Sequence, residues 1–271
     1  MLRTTHDLQD YSIGATDGPV GHVKDFFFDD DDWVIRYLVV ETGSWLSNRR
    51  VLISPISLHD PDWSQRTLPV SITRAQVMGS PDVESHKPLS RQNEITYLDY
   101  YGYPNYWGGV GMWGNGMFPY AMMPGYIGPG IASSEREEEA RWRAEQERRR
   151  TDDPHLRSCN EVTGYHLHAS DGKIGHVDAF LIDEDTWEIS YLVVNTSNWW
   201  IGHKVLIAPR WISAVSWTGQ ALSVDLTQAS IKAAPPYDSG TVWSAERDHG
   251  LYEHYGRTGY WAGRSHLLTI L

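Results

Sequence analysis

The chain predicts a mainly β protein: two small six-stranded antiparallel β-barrels in tandem repeat, each followed by short helices. Three observations lead there. First, a near-repeat runs at a constant spacing of 154 positions. Asp17-Gly18 returns as Asp171-Gly172, Gly21-His22-Val23 as Gly175-His176-Val177, Tyr37-Leu38-Val39-Val40 as Tyr191-Leu192-Val193-Val194, and Val51-Leu52-Ile53 as Val205-Leu206-Ile207. The match runs without a gap from Asp17 to Trp107, with about a third of the paired positions identical. That spacing exceeds the few tens of residues of a solenoid and marks a duplicated domain. Second, apolar residues alternate with period two and are rich in β-branched and aromatic types, the pattern of strands. Third, the strands are short and joined by tight turns, and closure into a barrel removes exposed edges.

In the first unit Val20 to Phe28 reads as a strand, the four aspartates Asp29 to Asp32 as a turn, and Trp33 to Thr42 as the returning strand. Arg50 to Ser54 and the alternating Leu68-Val70-Ile72 follow, then short helices near Thr73 to Gly79 and Ser90 to Tyr101. The second unit repeats the order: Ile174 to Ile182, an acidic turn, Trp187 to Thr196, Lys204 to Ala208, Ala214 to Trp217, and Leu222-Val224-Leu226. These readings place a first barrel unit at 1–107, a linker at 108–155 and a second barrel unit at 156–271. Gly102 to Gly130 is dense in Gly, Tyr, Trp, Met and Pro without a period, the composition of an irregular connection. Ser134 to Arg150 carries a capping-box pair, Ser134 and Glu137, and a Glu139–Arg143 pair, which together favour a solvated helix.

The run Asp-Gly-x-x-Gly-His-Val, an acidic turn, Trp-x-Ile-x-Tyr-Leu-Val-Val and Val-Leu-Ile-x-Pro resembles the PRC-barrel family. That family is named for the cytoplasmic domain of the photosynthetic reaction centre H subunit. It also includes the C-terminal domain of a ribosome maturation factor. The tails, with Tyr100-Tyr101-Gly102 and Tyr106-Trp107 in one unit and Leu251 to Arg257 and Tyr260-Trp261 in the other, resemble the family's stand-alone tandem branch. The resemblance implies the barrel fold and an adaptor role. Neither the membrane anchor of the one relative nor the preceding domain of the other is expected here.

Composition narrows the function further. The formal charge is -12, which disfavours nucleic acid and anionic membrane surfaces. One cysteine, Cys159, cannot form an internal disulfide, so nothing demands an oxidising compartment. The N-terminal MLRTTHDLQD has no apolar core of a signal peptide, and no run of 18 apolar residues exists, so a cytoplasmic protein without a transmembrane segment is expected.

Among candidate sites, Asp17-Gly18 and Asp171-Gly172 read as turns, and Gly21 and Gly175 as glycines at a strand bend. The Asp29 to Asp32 run lacks the ligand spacing of a calcium loop and reads as a hairpin tip. His22 and His176 recur at one repeat position, and His166 and His168 share a strand face, but no zinc spacing accompanies them. Cys159 has no adjacent base and reads as inert. Neither catalytic motif nor metal nor cofactor is expected. Trp33 and Trp187, Trp45 and Trp199, and Trp63 and Trp217 recur in register. Trp45, Trp199 and Trp200 stand in a loop, where a large apolar side chain either tucks over the barrel or meets a partner. The binding candidates are therefore Trp45, Trp199, Trp200, His22 and His176.

The expectation is a non-enzymatic protein-interaction or scaffold protein that associates peripherally with a reaction-centre-like or other electron-transfer complex. Its partner is another protein, the other barrel of the same chain, or a second copy. The alternatives are an RNA or ribosome-assembly factor by analogy with the maturation factor, and an enzyme with a pocket between the barrels.

Overall fold

The computed structural model describes residues 1–81, 89–107, 109, 111–123, 154–196, 203–240 and 243–259. The expected helix at Ser134 to Arg150, and Trp199, Trp200 and Tyr260-Trp261, lie outside the described residues. The chain forms two compact units. The N-terminal unit is Arg3–Val162 with Ile182–Ile189, and the C-terminal unit is Met1–Leu2, Thr163–Leu181 and Ser190–Leu271.

The first repeat supplies β1 (Leu2–Thr4), β2 (Ser12–Ala15), β3 (Gly18–Asp29), β4 (Val34–Glu41), β5 (Arg50–Ile53), β6 (Thr67–Pro69) and β7 (Leu89–Ser90). A further strand, β8 (Pro154–Ser158), stands at the start of the second repeat. The sheet runs β5-β4-β3-β2-β6, with β8 added to β3 and β7 to β8. β8 pairs Ser158 with Phe27, Arg157 with Phe28 and Leu156 with Asp29. So the strand that opens the second repeat is built into the N-terminal unit, a pairing that no local pattern around residue 155 announces. β4 is buried from Val34 to Val40, and Ile13, Val23, Phe26, Ile53 and Leu68 of the neighbouring elements are buried in the same core.

The second repeat supplies β9 (His166–Ala169), β10 (Gly172–Asp183), β11 (Ile189–Asn195), β12 (Lys204–Ile207), β13 (Ile212–Ser216) and β14 (Ala221–Val224). Their order is β12-β11-β10-β9-β14-β13. In the first repeat the counterpart of β13 is reduced to the bridges Leu58–Val70 and Asp62–Thr67. They sit at the repeat spacing from Ile212–Val224 and Ser216–Ala221.

The protein is mainly β with few helices, as the alternation predicts, but the sheets are mixed rather than wholly antiparallel. β2 runs parallel to β6, and β9 parallel to β14. The cause is the 3-10 turn after β5 and β12, at Pro55–Ser57 and Pro209–Trp211. It sends the chain to the far edge, and the following hairpin returns β6 or β14 alongside the first strand. Among the described residues the two hydrogen-bonded paths end at β5 and β6 and at β12 and β13, without a pairing that closes them into barrels.

Two local devices recur in both repeats. A Cβ on Gly21 would stand 2.0 Å from the Glu41 carbonyl oxygen, and one on Gly175 2.2 Å from that of Asn195. Only glycine lets the long strand cross its neighbour this closely. At the hairpin tips Trp33 and Trp187 adopt left-handed backbone, φ 58° and 63°. The Oδ1 atoms of Asp29 and Asp183 accept the N–H groups of the turn they begin. The acidic tips are thus turns fastened by their first aspartate.

Candidate functional site

Trp45 lies half-buried in the 3-10 turn Gly43–Leu46. Its indole N–H donates to the Val20 carbonyl at 2.5 Å, and the Arg74 guanidinium stacks on its ring at 4.2 Å. Its apolar surface is largely covered by its own unit. His22 is exposed, with Nδ1 at 3.3 Å from the Asp10 carbonyl oxygen. His176 is half-buried on β10, opposite His166 of β9. His166 and His168 share one face of β9 while Leu167 and Ala169 are buried on the other.

The side chains that sequence reasoning missed are two buried carboxylates. In the N-terminal unit the Tyr37 hydroxyl, on β4, donates to Glu94 Oε1 at 2.9 Å. Glu94 sits on the helix Arg91–Tyr101, and its Oε2 lies 3.0 Å from His155 Nε2 of β8. In the C-terminal unit the Tyr191 hydroxyl donates to Asp248 of the helix Ala245–His254, and the Trp243 indole N–H donates to the same oxygen at 3.1 Å. Tyr37 and Tyr191, and Glu94 and Asp248, are both pairs at the repeat spacing. The duplication therefore preserves a hydrogen bond that ties the trailing helix to the middle of the sheet. A carboxylate this deep is tolerated because donors surround it. The signal was available: Tyr37 and Tyr191 are identical, and an acid follows each at the same distance.

A third buried acid, Asp25 of β3, has no duplicate, since Ala179 occupies the matching place. It accepts from Ser158 Oγ at 2.5 Å, from the Asn160 N–H at 3.0 Å and from the Phe26 N–H at 2.7 Å. Burial pushes its pKa up against these bonds. Cys159, beside it, is buried, and burial holds its thiol well above the usual range. That is the opposite of the lowered pKa a thiolate nucleophile requires.

Arg36 is fully buried on β4. Its guanidinium donates to the Met112 carbonyl at 2.5 Å and to Asp32 at 2.9 Å, and stacks on Tyr106 at 3.8 Å and Trp113 at 4.9 Å. Trp113 is itself fully buried and donates its indole N–H to the Thr186 carbonyl at 2.8 Å. Tyr106, Met112 and Trp113 of the Gly- and aromatic-rich segment thus gather around one cation. The second repeat has Ser190 in place of Arg36, so no repeat signal marked it. Asp29, Asp30 and Asp31 lie close together at the adjoining tip. Arg36 and Arg157 approach that tip, the latter at 2.7 Å from Asp30.

Several large apolar side chains face solvent. Met78, Tyr100, Met117 and Tyr120 of the N-terminal unit are all more than a third exposed. The Tyr100 hydroxyl donates to the Gln76 carbonyl at 2.8 Å, which sets its ring against the helix Arg74–Gly79 that carries Met78. The Tyr120 ring stacks on Phe118 at 5.3 Å. No helix among the described residues is long and apolar enough to cross a membrane.

Two mixed sheets, each tied to its trailing helix by a buried tyrosine–carboxylate bond, define a β-rich fold. The family comparison agrees: residues 4–64 match the PRC-barrel domain, so the N-terminal unit carries a PRC-barrel domain. The match spans β2 to β5 and ends before β6. No curated protein matches the chain.

Proposed function

We propose that the chain is a non-enzymatic protein-interaction scaffold built from two PRC-type barrels, cytoplasmic, with a protein as its partner. A PRC-barrel domain suggests an interaction module. The observation that carries the reading is the exposure of Met78, Tyr100, Met117 and Tyr120 in a chain of net charge -12. Exposed aromatic and methionine side chains gain most by meeting an apolar partner surface. Trp45, Asp25 and Glu94 are each hydrogen-bonded within the N-terminal unit. Peripheral association with an electron-transfer complex is the finer form of the proposal, supported by the family's namesake.

The test is site-specific photo-crosslinking in the native cell. A crosslinking residue at position 120 is expected to capture a defined protein that one at the exposed Lys232 does not. Equal capture at the two positions would remove this surface from the account.

A further inference from the structure

A row of tyrosine rings runs through the N-terminal unit from the buried Tyr37 to the surface. Tyr37 and Tyr97 have centroids 4.9 Å apart, Tyr97 and Tyr101 4.8 Å, and Tyr101 and Tyr100 4.9 Å. Tyr103 stacks on Tyr101 at 5.5 Å. Tyr37, Tyr97, Tyr101 and Tyr103 are buried, and Tyr100 is 42% exposed.

The second repeat separates what the fold needs from what this row adds. Tyr37, the helix acid and Tyr101 return as Tyr191, Asp248 and Tyr255. Tyr97, Tyr100 and Tyr103 fall on Leu251, His254 and Arg257. Leu251 is as buried as Tyr97, so the core at this position accepts a leucine. The extra phenols of the first repeat are therefore not demanded by the architecture.

We propose that this row is a path for one-electron oxidation. Tyr37 is its terminal donor, Glu94 its proton acceptor, and Tyr97, Tyr101 and Tyr100 carry the electron to a one-electron oxidant at the surface. In that step the Tyr37 O–H bond breaks and an O–H bond forms on Glu94 Oε1 along the existing 2.9 Å hydrogen bond. One electron leaves the phenol, and the oxidant gains it. The product pair is a neutral tyrosyl radical and a neutral carboxylic acid, so the interior loses a buried charge rather than gaining one. Tyr97 and Tyr100 cannot hold the hole in this way. The Tyr97 hydroxyl donates to the Leu52 carbonyl and that of Tyr100 to the Gln76 carbonyl. A carbonyl oxygen is a poor base beside a carboxylate, so these rings relay and Tyr37 retains. His155 Nε2, at 3.0 Å from the other Glu94 oxygen, holds the carboxylate in place for this transfer. This inference does not depend on which protein the exposed surface binds.

The experiment uses the full chain with a flash-photo-oxidised ruthenium polypyridyl complex as the oxidant and persulfate as its sacrificial acceptor. Electron paramagnetic resonance is expected to show a long-lived tyrosyl signal that is lost in Tyr37→Phe. Tyr97→Leu, which installs the residue of the second repeat, is expected to lose the same component while remaining folded. Tyr100→His, at the exposed end, is expected to reduce its yield. An unchanged signal in Tyr37→Phe, or full yield in Tyr97→Leu, would overturn the proposal. If Tyr37→Phe fails to fold, the two repeat-matched substitutions decide alone.

Discussion

The Tyr37 hydroxyl donates to Glu94 at 2.9 Å, and the Tyr191 hydroxyl donates to Asp248 in the other unit. Between repeats that share only about a third of their residues, the acid changes length while the bond persists. The second partner differs as well: His155 for Glu94 and Trp243 for Asp248. Tyr37→Phe removes one donor from a buried carboxylate, and is expected to cost about 1–3 kcal/mol. Glu94→Gln in combination should cost less than the sum of the single changes, because the partners share one bond. Urea denaturation of the two single variants and the double variant measures this.

Gly21→Ala places a methyl carbon 2.0 Å from a backbone oxygen of β4, where no side-chain movement can relieve it. The strands must separate, and a loss of about 3 kcal/mol or more is expected, at the upper end for overpacking. Gly14→Ala is the control, since its nearest neighbour is a Thr67 methyl group at 3.6 Å. Comparable melting temperatures for the two variants would contradict the close-crossing account.

Much of this was legible in the chain. The 154-residue spacing and the alternation located β3 to β6 and β10 to β14 to within a few residues, along with the helix at Arg91–Tyr101. The parallel pairings were not legible, because alternation fixes which face a strand buries and says nothing of its neighbour's direction. Nor was β8, whose partner lies more than 120 residues away in the chain. Arg36 was hidden for a related reason: its neighbours Met112 and Trp113 come from a segment whose composition gives no period. The paired acids Glu94 and Asp248 were present in the repeat but passed over, since one is Glu and the other Asp.

Arg36→Ala removes the cation that Asp29, Asp32, the Met112 carbonyl and two aromatic rings surround. Breaking a buried pair by deleting one partner typically costs about 3–5 kcal/mol. The Trp113 ring should also loosen, giving red-shifted tryptophan emission before global unfolding. A variant with wild-type stability and emission would show that the segment does not depend on this residue.

Asp30 gives a pH signature with a definite sign. Burial raises its pKa from 3.8 to about 6 in the folded state, against the opposing attraction of Arg157. The folded protein therefore binds more protons than the unfolded chain between those values, and stability falls as pH rises through that window. Its favourable contribution is complete below 3.8 and lost above about 6. Asp30→Asn should flatten the urea midpoint between pH 4 and 6 relative to wild type. A difference curve without slope in that interval would contradict the assignment.

Protein binding by the exposed apolar side chains of the N-terminal unit is the proposal on which the function rests. Its most direct measurement is the affinity of the crosslinked partner, once purified, for the wild-type chain and for the Met78→Glu/Tyr120→Glu variant. These residues are 56% and 46% exposed, so the folded state should tolerate both changes. Loss of two interface anchors predicts an affinity weaker by about a hundredfold or more at unchanged melting temperature. Equal affinity for both chains would place the binding surface elsewhere.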